Sequence, residues 1–101
     1  MNREDFQQDT RYALTIRDGA GHLKPASVYV YRLFDEFMVV RSTQGDGLLR
    51  KLRFEDIERI VRTVAVADGD RFSLPEALLQ PKFWVDRDTV EAYSSSPAVG
   101  K

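Results

Sequence analysis

The chain has 101 residues, 43% of them hydrophobic and 31% charged, with a formal net charge of −1. That is the make-up of one ordinary globular domain, too short for a second core and too apolar for wholesale disorder. The absence of cysteine excludes disulfide staples, thiolate nucleophiles and zinc–thiolate sites, and no apolar run exceeds four residues where a membrane-spanning helix needs roughly 20.

The N-terminus, Met1-Asn2-Arg3-Glu4-Asp5, is polar and acidic and has none of the character of a secretory signal, so the expected compartment is the cytoplasm. Residues 1–10 read as a flexible lead-in, 11–93 as one small β-rich domain and 94–101 as a disordered tail. Charge is unevenly spread. Residues 11–62 carry ten bases against seven acids, a net +3 that is modest beside dedicated nucleic-acid binders.

Arg11 to Arg17 alternates, with Tyr12, Leu14 and Ile16 on one face and Arg11, Ala13, Thr15 and Arg17 on the other, the period of a strand covering a core on one side. Asp18-Gly19-Ala20-Gly21 follows as a turn, with Asp-Gly expected to supply the positive φ of a tight reversal. Pro25 lacks an amide donor and belongs at a strand's start or on an edge. From Val28 to Leu33 both faces are apolar: Val28 and Val30 on one, Tyr29, Tyr31 and Leu33 on the other. Such a strand is central, or has one face in the core and the other against a partner. Asp35-Glu36 turns the chain and Phe37 to Arg41 returns. Thr43 to Gly47 is a Gly-rich loop, and Leu48 to Phe54 is a fourth strand.

Phe54 to Val66 fits two patterns. Phe54, Ile57, Ile60, Val61 and Val64 lie at helical spacing, yet six of the ten residues from Ile57 to Val66 are β-branched, which disfavours a helix. A tight turn at Phe54 to Ile57 and a fifth strand over about Glu58 to Val66 is the preferred reading. Ser73 to Gln80 has a Ser cap, an early Pro and good helix formers, which predicts one or two helical turns packing Leu78 and Leu79 on the barrel. Phe83-Trp84-Val85 is an apolar anchor read as a last edge strand, and Asp86 to Tyr93 as a short helical piece. The predicted fold is mainly β: a small five-stranded antiparallel barrel of SH3/Sm-like type with a short C-terminal helical segment. The alternative is a PH-like sheet with a closing helix at 54–67.

Reactive groups are scarce. The single histidine, His22, sits in a Gly-rich turn and cannot build a multi-histidine metal site. No serine lies in a nucleophile-elbow context. Asp35-Glu36 and Glu55-Asp56 sit at polar turns, not in a cleft that would split their pKa values. Asp56 and Glu58 are expected to form surface ion pairs with Arg59 and Arg62. The glycine loops lack the Walker lysine and the strand-to-helix setting of a phosphate cradle. No catalytic residue, metal or cofactor is therefore expected. What stands out is a surface constellation of aromatics and cations: Tyr29, Tyr31, Arg32 and Phe37 on the central hairpin, with Arg50, Lys51 and Arg53 on the strand after it. Such residues stack on bases and reach phosphates, and they also make protein-interface hot spots.

Leu33-Phe34-Asp35-Glu36-Phe37-Met38-Val39-Val40, followed by a loop, Arg50-Lys51 and an Ile-containing final strand, resembles the strand 2–5 region of bacterial Hfq and other Sm-like RNA-binding barrels over about 35 residues. The resemblance implies that Phe37 stacks on uridine and Lys51 helps bind RNA. The chain departs from that family in lacking its strand-2 glycine and in carrying Arg50-Lys51-Leu52 where the family has Tyr-Lys-His. The expected function is a non-enzymatic interaction module that binds a protein partner or a second copy of itself, with an Sm-like RNA binder as the alternative. Neither expectation involves a membrane.

Overall fold

The computed structural model describes residues 1–44, 47–71 and 74–85, together with the backbone of Thr89 and Val90. Its strands are β1 (Thr10–Arg17), β2 (Leu23–Leu33), β3 (Phe37–Ser42), β4 (Leu49–Arg53), β5 (Ile57–Ala65) and a two-residue β6 (Thr89–Val90). They form one antiparallel sheet in the order β5-β1-β2-β3-β4-β6. The described helical residues are all in short 3-10 turns, at Arg3–Asp5, Phe54–Asp56, Asp68–Asp70, Glu76–Leu79 and Pro81–Trp84. No helix among the described residues is long and apolar enough to cross a membrane.

The closing helix considered over 54–67 does not form. Phe54–Asp56 is a single 3-10 turn and the β-branched run after it is β5, so local β preference prevails over the helical spacing of the apolar residues. The barrel expected from the sequence does not close either. β5 and β6 are the two edges of the sheet and no ladder joins them. The sheet is nevertheless curled, because one apolar cluster gathers Tyr12, Leu14 and Ile16 of β1, Val28 and Val30 of β2, Met38 and Val40 of β3, Leu52 of β4 and Ile57 of β5. A flat sheet would hold β4 and β5 about 19 Å apart, four strand spacings. Here a three-residue turn brings them together, and its Phe54 is 3% exposed within the same cluster. Residues 1–10 contribute Phe6, buried edge-on against Tyr12 and stacked on Phe54.

The second face of β2 is covered as well. Tyr29, Tyr31, Val39 and Leu49 form a cluster with Leu78 and Trp84, flanked by Val66, Leu74, Leu79 and Phe83. After β5 the chain thus crosses to the outer side of the sheet and lies on β2, β3 and β4 as a strap. Trp84 is fully buried and its indole N–H donates to the Leu78 carbonyl at 2.7 Å, which satisfies the polar edge of the ring. Phe83 to Val85 is no edge strand: Phe83 and Trp84 end a 3-10 turn opened by Pro81. Of the segment 86–93, expected to be helical, Thr89–Val90 is strand paired to Leu49 and Arg50; its other residues, like the tail 94–101, lie outside the described residues.

Two local details position these layers. In the β1–β2 turn the Asp18 carboxylate accepts the amides of Ala20 and His22, both at 2.9 Å, and the positive φ falls at Gly21 (84°) rather than at Gly19. Asp9 has φ 53°; its amide donates to the Val30 carbonyl and its carboxylate accepts the Tyr29 hydroxyl at 2.6 Å, tying the entry of β1 to the middle of β2.

Trp84→Ala is expected to lower the unfolding free energy by about 3–5 kcal/mol, the cost of emptying a large buried aromatic site. Urea denaturation followed by circular dichroism measures it. A loss below about 1 kcal/mol would mean that the strap contributes little to the fold.

Candidate interaction surface

Most of the residues singled out as a binding constellation lie at the strap, and Arg50 and Arg53 do not. Tyr29 is fully buried and Tyr31 is 7% exposed, their rings in edge contact, so both aromatics face the chain's own C-terminal segment. Arg32 reaches the Glu76 carboxylate at 3.1 Å and the Leu79 carbonyl at 3.4 Å. Lys51 donates to the Trp84 carbonyl at 2.7 Å, with its ammonium 5.6 Å from the centroid of the Phe37 ring. Phe37 is half-buried and packs on Phe34. Four of the seven residues thus serve the layer that covers them.

Phe37, Lys51 and Arg53 also line a shallow groove of ≈ 450 Å³ at the end of the β3–β4 hairpin. Asp35, Glu36 and Glu55 line the same groove, three carboxylates against Lys51, Arg53 and the Met1 ammonium, so the groove has no net positive charge. Arg50 lies apart from these residues, in an open depression with Lys24, Ser27 and Ser42. His22 is exposed. No group of three or more His, Cys, Asp or Glu among the described residues is placed to hold a metal.

Two phenols titrate abnormally. Burial pushes the Tyr31 hydroxyl above the ordinary value of 10.0, outweighing the Arg41 charge and hydrogen bond that pull it down. Burial also raises Tyr12, against the Gln7 amide that donates to its oxygen at 2.7 Å and the Thr10 side chain.

The uncovered part of the molecule is the other half of the outer face. Register places Val64 beside Arg11, Arg62 beside Ala13 and Arg59 beside Thr15 across the β5–β1 ladder, so these side chains share one face. Ala13 and Ser27 pair across β1 and β2, giving that face a floor of small residues. Arg17 pairs with Glu58. The expected pairing of Arg59 and Arg62 with Asp56 and Glu58 does not occur, and Arg11, Arg59 and Arg62 make no ion pair among the described residues. β5 itself is bare: every residue from 61 to 65 is exposed, Val61 at 59% and Val64 at 45%. The arginines of this face were visible in the sequence. Their grouping was not, because it depends on β5 returning to pair with β1.

Comparison with protein-family models, with curated proteins and with solved structures finds no match to this chain.

Two measurements check this division of labour. Lys51→Met is expected to cost about 1–3 kcal/mol of stability, because the strap carbonyl loses a charged donor, whereas Arg59→Ala is expected to stay within about 0.5 kcal/mol. Urea titrations compare the two. Second, a phenol raised by folding favours the neutral form in the native state, so its stabilisation is complete below pH 10.0 and falls as pH rises through the higher native value. Thermal melts should therefore drop above pH 10.0, and Tyr31→Phe should flatten that alkaline decline relative to its own melting point at neutral pH.

Proposed function

We propose that this protein is a non-enzymatic interaction module that contacts a protein partner through the β5–β1 side of its sheet. The single observation that supports this reading is the exposure of β5. It is an edge strand whose last five residues are bare on both faces, including two valines, in a domain that covers β2, β3 and β4 on both faces. An edge with unpaired backbone groups and exposed β-branched side chains is a template for another chain. A second copy binding through Tyr29 and Tyr31 is disfavoured, since the strap already occupies those rings.

One observation favours the Sm-like RNA reading: Phe37, Lys51 and Arg53 line a common groove. Against it, the Lys51 ammonium is engaged with Trp84 and the same groove holds three carboxylates, which repel phosphates.

The test is photo-crosslinking in the cells that make the protein, with benzoylphenylalanine placed at Val61 or, as control, at the equally exposed Val85. The expected result is a discrete protein adduct from Val61, sequenced at the crosslinked peptide and missing from the Val85 control. Adducts to RNA alone, or equal adducts from both positions, would overturn the proposal. A homotypic adduct from Val61 would keep the surface and replace the partner by a second copy.

A further inference from the structure

The β5–β1 surface has a chemistry that narrows its occupant, and resting on the reading above we infer that β5 accepts a short extended segment of a partner chain in which acidic residues alternate with β-branched ones. The argument begins with the edge. Leu49 and Arg50 of β4 are already paired to β6, so the sheet has one long open edge, β5. A strand added there forms main-chain hydrogen bonds that need no particular sequence, and its alternate side chains are selected by what they meet on each face.

On the outer face they meet Arg59 and Arg62, with Arg11 one strand further in; none of the three makes an ion pair among the described residues. Glu58, next to Arg59 in the chain, is held by Arg17. Carboxylates at every second position of the added strand complete these arginines. On the inner face they meet Ile60, Thr63 and Ala65, which lie opposite Leu14, Tyr12 and Thr10 of β1 and suit small β-branched partners.

The same geometry sets the length and excludes rivals. β5 is in regular register with β1 only from Arg62 to Ala65, opposite Thr10 to Ala13; register shifts leave Val61 and Glu58 as extra residues nearer its start. Such bulges bend an edge away from long flat pairing, so the contact is short. A second copy of β5 would bring another Arg59 and Arg62 into the same ladder and place like charges together. Single-stranded nucleic acid needs aromatic platforms for its bases, and the nearest aromatics, Tyr12 and Tyr29, are buried.

The experiment titrates the full chain, ¹⁵N-labelled, with an end-capped synthetic peptide of roughly ten residues, the upper span of an ordinary strand, alternating glutamate with valine and threonine. A peptide of the same composition with all glutamates in one block is the first control, and an oligouridine of equal charge the second. Expected are saturable shifts and slowed amide exchange confined to β5 and its β1 partner. The alternating peptide should bind more tightly than the blocked one, and Arg59→Glu with Arg62→Glu should weaken it by roughly fivefold to tenfold. Both arginines are exposed, and an unchanged melting temperature confirms that the double variant is folded. Equal binding of the blocked peptide, tighter binding of oligouridine at the same residues, or no response of β5 would each overturn the inference. So would a dimer in light scattering that the double variant abolishes. A protein adduct from Val61 in the crosslinking experiment, alongside a failed peptide titration, would leave the interaction module standing and remove only the acidic extended partner.

Discussion

A strand that is apolar on both faces has to be covered twice, and β2 imposes that requirement on the whole chain. Val28 and Val30 point into the curled interior, while Tyr29 and Tyr31 point out. Leaving two tyrosines and the neighbouring Val39 and Leu49 in water would forgo the burial of several large side chains, each worth roughly 1.5–3 kcal/mol. The strap from Leu74 to Val85 removes that exposure, and Trp84 is its anchor because it is the largest fully buried side chain in the chain. The C-terminal segment is thereby an integral second layer of the domain.

The strap also accounts for the polar residues around it. A segment made of 3-10 turns leaves carbonyls without helical partners. The Leu78 carbonyl takes the Trp84 indole, the Leu79 carbonyl takes Arg32 and the Trp84 carbonyl takes Lys51. Cations on strands β2 and β4 therefore act as donors to backbone oxygen. Arg41 belongs to the same layer: it is 7% exposed and lies beside the Tyr31 hydroxyl, whose ionisation its charge favours and burial opposes more strongly.

Strand order within the meander was legible in the sequence because alternation is a local property: Arg11 to Arg17, Val28 to Leu33 and Phe37 to Arg41 each carry their own period. The doubly apolar character of Val28 to Leu33 was legible too, including the need for a cover on its second face. The packing of Leu78 and Leu79 on the strands was legible from their helix-forming context, but that they and Trp84 cover Tyr29 and Tyr31 in particular was not, since about half the chain separates them and nothing in their spacing points to one another. The same limit applies to the candidate site. Arg32 and Lys51 among aromatics have the composition of a ligand surface, and only three-dimensional placement assigns the Glu76 carboxylate and the strap carbonyls as their partners. Closure failed for a different reason. Alternation gives the number of strands and the inward face, but whether the edges meet is set by shear and bulges, and the two register shifts in β5 are invisible to a period count.

These features divide the outer face into two territories with different rules. Over β2, β3 and β4 apolar side chains are buried and nearby cations are committed to the backbone of the strap. Over β5 and β1 small and cationic side chains predominate, Arg11, Arg59 and Arg62 make no ion pair among the described residues, and residues 61 to 65 of the edge are bare. An edge kept only for solubility would be expected to carry lysine, proline or inward charges along its length. β5 has no lysine or proline and exposes Val61 and Val64, leaving its bulges and the charges of Glu58, Arg59 and Arg62 to discourage indiscriminate pairing. Bulges restrict the length of a pairing without forbidding it, so a chain added at this edge would be limited in extent and would meet arginines on the outer face. The domain thus covers its most apolar strand with its own C-terminal segment and leaves a β-branched edge open under arginines, and the proposed interaction rests on that contrast.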